Sequence, residues 1–153
     1  LNADTPERQL IPWIDAAGAL ANPRTLERVR ALATHQSADV RLHVARALRR
    51  LADPDTPPVL HALLRDKDWR VRAQAARAAG ALRCAELSEE LAIAVSDPAW
   101  WVRYRSALAL AQIGGPGRRA LLEVVDGDDR LAQDMARLVA GLSPSAVVEM
   151  SEV

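Results

Sequence analysis

A valine followed by an arginine recurs on a fixed ruler in this 153-residue chain: Val40-Arg41, Val71-Arg72 and Val102-Arg103, each pair 31 residues after the last. Self-similarity at a fixed period of this length marks a chain that stacks one supersecondary unit on the next. The match runs well beyond the dipeptide. Residues 39–48, 70–79 and 101–110 align position by position, and residues 130–139 form a weaker fourth copy. The fourth copy has lost two residues of register in the turn around Gly127. One period before the first copy, residues 11–20 keep the apolar spacing but lack the valine-arginine pair.

Within each copy the apolar positions fall at helical spacing. Val71, Ala75, Ala76, Ala79 and Leu82 share one face of a helix, and Val102, Ser106, Ala107, Leu110 and Ile113 repeat it. Small residues dominate this face, so neighbouring helices can approach closely. Each such helix is preceded by a shorter one, expected over 25–35, 56–65, 85–96 and 116–125. Pro57, Pro58 and Pro116 fit a first helical turn, where no backbone donor is needed. Asp66, Asp68, Asp97 and Asp126 punctuate the turns as expected caps. No stretch alternates with period two, so no strand is expected.

The turn aspartate, the valine-arginine pair and the alanine-rich core that follows resemble the HEAT-like repeat family, in the short-repeat form shared with phycobilisome-lyase-like repeats. The carrying residues are Asp39-Val40-Arg41 with Ala45 and Leu48, Asp68 with Val71-Arg72, Ala75, Ala76 and Ala79, and Asp97 with Val102-Arg103, Ala107 and Leu110. The resemblance covers about residues 20–142. It implies an all-α, right-handed α-solenoid (an α-α superhelix) of about four two-helix repeats plus an N-terminal helix. The second helix of each repeat would line the concave face. Expected boundaries are a single repeat domain over 1–142, with an N-terminal helix at 6–20 and repeats near 22–52, 53–83, 84–114 and 115–142. Residues 143–153 follow Gly141 and read as a tail.

Composition narrows the class. Half the residues are hydrophobic, yet only 3% are aromatic and none is phenylalanine, which suits close helix packing better than one large globular centre. The single cysteine, Cys84, excludes an internal disulfide. No apolar run approaches the length that spans a bilayer, and no signal peptide is legible, so the cytoplasm is the default expectation. The chain opens on Leu1 rather than methionine and reads as a piece of a longer protein. A monomer is expected, because no helix shows a continuous exposed apolar face.

Charge is balanced overall but unevenly placed. Residues 39–52 carry Asp39 against Arg41, Arg46, Arg49 and Arg50; residues 68–83 carry Asp68 against Arg70, Arg72, Arg77 and Arg83. Residues 98–113 add Arg103 and Arg105, whereas 128–142 are net −1. A solenoid built this way has a basic inner strip on its first three repeats. The resemblance implies a structural ladder of Arg41, Arg72 and Arg103 reaching turn aspartates, with Asp39, Asp68 and Asp97 as expected partners. Ala132 stands at the fourth ladder position. Arg46, Arg49, Arg70, Arg77 and Arg105 are expected on the exposed side of the inner helices.

Trp69 and Trp100 stand one period apart and are expected to fill the seam between repeats. Trp101, about 100° further round the helix, is the expected exposed anchor, with Tyr104 beside it. Trp13 is expected in the core. His35, His43 and His61 have no metal-ligand spacing, and the chain lacks the histidine-glutamate pairs that the di-iron branch of the family uses. No serine or cysteine sits in a nucleophile setting, and residues 114–117 form a turn rather than a phosphate loop. The expected function is a non-enzymatic scaffold, without cofactor or metal, that binds an acidic protein segment. Its contact residues would be Arg46, Arg70, Arg77, Arg105, Trp101, Tyr104, His43 and Gln74. The alternatives are a nucleic-acid binder related to base-excision members of the family, and a lyase- or chaperone-like helper of a pigment or enzyme system.

Overall fold

The computed structural model describes residues 5–51 and 53–152. Among them are ten α-helices and no strand: α1 (Glu7–Leu20), α2 (Pro23–Ala31), α3 (Ala38–Leu48), α4 (Thr56–Leu64), α5 (Trp69–Ala81), α6 (Ser88–Ala94), α7 (Trp100–Ile113), α8 (Gly115–Val125), α9 (Arg130–Ala140) and α10 (Pro144–Glu152). Local chemistry sets several starts. Asn22, Ser37, Asp68 and Asp129 each accept a hydrogen bond from a backbone N–H of the helix they open. Prolines occupy the first turn of α2, α4 and α8.

The helices form two layers. α1, α3, α5, α7 and α9 pack side by side in chain order, and α4, α6 and α8 do the same in the second layer. Each short helix also packs on the long helix that follows it: α2 on α3, α4 on α5, α6 on α7 and α8 on α9. The result is an all-α repeat solenoid with one continuous core. Val40, Val71 and Val102 are fully buried at equivalent positions, and Ala45, Ala75, Ala76, Ala79 and Ala107 fill the space between helices. The spacing is tight where α5 meets α7. A Cβ built on Gly80 would lie 2.7 Å from the Ala109 Cα, a backbone atom that cannot swing away.

Two arginines clamp successive repeats. Arg41 donates from Nε and Nη2 to the two oxygens of Asp66 at 2.6 and 2.8 Å, and Arg72 grips Asp97 in the same way at 2.7 and 2.9 Å. The remaining nitrogen, Nη1, holds the arginine's own turn. Arg41 reaches the His35 carbonyl at 2.7 Å, Arg72 the Asp66 carbonyl at 2.7 Å and Arg103 the Asp97 carbonyl at 2.8 Å. The aspartates are equally committed, since Asp66 also accepts the Asp68 N–H and Asp97 the Ala99 N–H, both at 2.8 Å.

The ladder thus runs through Asp66 and Asp97, and Asp39 and Asp68 stand outside it. Asp68 caps α5, and both Asp39 and Asp68 pair with Arg70. The reason is position. Asp66 and Asp97 lie five residues before the valine, where the chain leaves the short helix and faces the preceding repeat. Asp68 lies at the helix mouth, where its oxygens meet local donors. Arg103 has no carboxylate partner among the described residues, and its Nε is buried without an acceptor. In the fourth unit Asp129, which feels the Arg103 charge, caps α9.

The segment expected to be a tail is instead the helix α10, packed on α7. Val147 and Ser151 are its buried residues. Because α5, α9 and the short-helix layer already occupy three sides of α7, α10 lies across the remaining open face of the long helices.

Three outcomes follow from this packing. Arg41→Ala strands a carboxylate only 7% exposed, and urea denaturation should show a loss of about 3–5 kcal/mol. Gly80→Ala should cost about 1–3 kcal/mol in the same assay by overpacking the seam between α5 and α7. Burial alone would raise the Asp66 carboxyl, but its bonds from Arg41 and from the Asp68 N–H outweigh burial and hold it below the ordinary range. Its stabilisation is therefore complete above an unfolded-state value of about 3.9 and is lost as pH falls through the lower folded-state value. Asp66→Asn should flatten stability against pH in that acid window.

Candidate interaction face on the long helices

The open face of the long-helix layer is built from three rows one period apart. His43, Gln74 and Arg105 form one row; Arg46, Arg77 and Leu108 form the next. A third begins at the helix mouths, where Arg70 and Trp101 occupy matching positions. Helical geometry places the rows on one side because their members are three or four residues apart on each helix.

Two contiguous cavities open here. The first, about 210 Å³, is lined by Leu42, Trp69, Arg70, Ala73, Gln74, Trp101 and Arg105. The second, about 310 Å³, is lined by Asp15, Gly18, Ala19, Arg46, Ala47, Arg49, Arg50, Gln74 and Arg77. Gln74 belongs to both, so an aromatic notch and a basic basin share a wall.

The expected contact residues fall into distinct environments. Arg46 is exposed in the basin. Arg70 lines the notch but is held by Asp68 at 2.7 Å and Asp39 at 3.0 Å. His43 Nδ1 lies 2.7 Å from an Asp15 oxygen, at the basin's edge. Arg77 donates to the Ser151 carbonyl at 3.0 Å and to that of Glu152, so it holds the end of α10. Burial pushes the Arg77 guanidinium below its usual range, and the neighbouring charges of Arg105, Arg49 and Arg46 push the same way.

Arg105 departs from expectation. It is only 8% exposed, because α10 packs across α7 and Tyr104 stands 5.9 Å away, ring centroid to guanidinium carbon. It makes a long 3.5 Å contact to the Ser151 carbonyl, and no carboxylate among the described residues pairs with it. Burial, with the Arg49 charge, pushes it down as well.

The tryptophans are redistributed too. Trp101 is 48% exposed, as an anchor would be, but Trp69 and Trp100 are exposed to 43% and 48% and do not fill the seam. They stand at the first residue of α5 and α7, above the level where alanines and the arginine ladder already close the gap. Trp100 stacks on Tyr104 at 5.0 Å and meets Trp101 edge-on at 4.9 Å, forming an aromatic shelf on one end of α7. Trp13 is half-buried against the core.

Leu42, Trp69 and Arg50 line these cavities and were not expected there. Nor was α10, although one residue signals it. Leu108 stands where the two preceding repeats carry Arg46 and Arg77, and it is 1% exposed. An apolar side chain at a position otherwise reserved for charge requires a cover.

Elsewhere, His61 lies 3.4 Å from Glu90. No group of three or more potential ligands that would suit a metal ion occurs among the described residues. Burial, with Glu86, pushes the Cys84 thiol up to about 11, which leaves it protonated and unreactive at neutral pH. No described helix is long and apolar enough to cross a membrane.

The chain belongs to the HEAT repeats: the family model of that description matches residues 11–69 and 56–141. HEAT repeats are commonly protein-interaction scaffolds and are typically non-catalytic. Among curated proteins none matches the sequence.

Proposed function

We propose that this chain is a non-enzymatic interaction module that takes an acidic segment of a protein partner along the concave face of its long helices. The observation that carries the reading is Arg105, a guanidinium nine-tenths buried, with no carboxylate partner among the described residues, at the notch between Trp69 and Trp101. A charge removed from water needs a partner of opposite sign. Here the partner's place opens onto the groove. Trp69, Trp101 and Leu42 supply apolar walls for an anchoring side chain, while Arg105 and Gln74 meet the carboxylate beside it. Half-exposed tryptophans beside an arginine are the composition found where interfaces concentrate their affinity.

A polyphosphate backbone is a poorer fit, which disfavours the nucleic-acid alternative. The row holding Arg46 and Arg77 ends at Leu108 under α10, and the fourth repeat is net acidic, so no basic track runs the length of the face. A nucleic-acid groove gains its affinity from many phosphate contacts in succession.

Display of a random peptide library against the whole chain tests the proposal. The expected result is enrichment of sequences that pair an acidic residue with a bulky apolar one. Trp101→Ala should weaken the enriched peptides at least about tenfold, as for a central anchor, with the helical circular-dichroism signal unchanged. Equal affinity for wild type, Trp101→Ala and Arg105→Gln would remove this site assignment.

A further inference from the structure

We infer that the 310 Å³ basin bounded by α1, α3 and α5 is a phosphate-monoester site, and that the acidic segment it receives is a phosphorylated peptide. The inference rests on the proposed function and specifies its ligand. Four guanidinium groups border the basin: Arg46, Arg49, Arg50 and Arg77. Among the described residues the basin's lining holds one carboxylate, Asp15, already engaged by His43 at 2.7 Å, and the Glu152 charge acts on Arg77 from the end of α10. The carbonyl end of α3 nearby is equivalent to about half a negative charge, far short of balancing four cations. None of Arg46, Arg49, Arg50 and Arg77 forms an ion pair among the described residues. Arg77 is oriented by the Ser151 and Glu152 carbonyls, which fix its direction without neutralising it. Arg105 adds a fifth cation, buried and without a carboxylate partner among the described residues, near Arg49 and Arg77.

The excess charge and its geometry favour phosphate over a lone carboxylate. A phosphate monoester brings nearly two charges and three acceptor oxygens, which can be met from several directions at once. The basin offers forks from α3 and from the residues just beyond it, and the remaining Nη1 of Arg77 from α5. A carboxylate presents a single charge in one plane and would leave most of these donors unmet. A peptide suits the surroundings better than a nucleic acid, because the basin holds one phosphate and continues through Gln74 into the aromatic notch. A neighbouring apolar side chain can therefore seat between Trp69 and Trp101.

Titration calorimetry on the full chain decides it, using one leucine-flanked peptide whose central residue is serine, glutamate or phosphoserine. Inorganic phosphate and a short single-stranded oligonucleotide serve as further probes. The phosphoserine form should bind at least about tenfold more tightly than the glutamate form, and the preference should grow as pH rises through the second phosphate ionisation near about 6. Inorganic phosphate should compete, and Arg46→Ala combined with Arg49→Ala should abolish the preference with helicity retained. If glutamate and phosphoserine forms bind equally and both weaken in Trp101→Ala, phosphate selectivity is overturned and the acidic-segment reading stands. If neither form binds above serine and inorganic phosphate does not raise the melting temperature of wild type above that of the double variant, both readings fall. Tighter binding of the oligonucleotide than of the phosphopeptide overturns the peptide assignment in favour of nucleic acid.

Discussion

The buried fork between an arginine of one repeat and an aspartate of the next is the interaction on which the stack depends. Arg41 with Asp66 and Arg72 with Asp97 are bidentate pairs, and each aspartate serves twice. The Asp66 side chain receives Arg41 while its backbone carbonyl receives Arg72, and Asp97 stands in the same relation to Arg72 and Arg103. The result is one hydrogen-bonded chain crossing three turns. Apolar burial brings the helices together but is not directional. The fork, which fails if either plane is rotated, sets how one repeat sits on the next.

That division of labour leaves the opposite face of the long helices outside the ladder. The ladder arginines lie at the turns, where Arg41 and Arg72 are fully engaged. Arg46 and Arg77, five residues beyond the ladder arginine of their helix, face the other side, where Arg46 is exposed and Arg77 holds the end of α10. A solenoid has each repeat pinned only by its neighbours, so the surface it presents is a rigid row. Under the proposed function, rigidity matters for a groove whose cations repel one another, because the cost of gathering them is met in folding rather than at the moment of binding. α10 is part of this arrangement. Its terminal carbonyls hold Arg77 at the edge of the groove, and its body shields Arg105 from water.

Much of the architecture was legible because a repeat states its pattern several times. The alternation of short and long helices up to residue 140 and the buried valines follow from spacing and side-chain size. The errors share one physical origin. By spacing alone Asp68 fits the ladder where Asp66 in fact serves, and only the direction each side chain takes at the helix mouth separates them. Trp69 and Trp100 resembled seam fillers because of their shared period, yet the seam at that level was already closed by smaller groups. Arg105 resembled Arg46 and Arg77 as an exposed cation, and only the helix folding back over α7 buried it.

The sequence by itself determined an all-α stack of two-helix units, since a 31-residue period with small residues at helical spacing can bury its faces in no other way. It also determined where the positive charge lies along the chain. Tertiary structure alone decided which charges are neutralised. Pairing depends on angles and distances between groups about 25 residues apart, as Arg41 and Asp66 are, and burial depends on what crosses a face from elsewhere in the chain. A nine-residue helix has too few internal hydrogen bonds to persist unaided. The fate of residues 144–152, and with it the character of the groove, therefore rested on contacts that no local pattern could express.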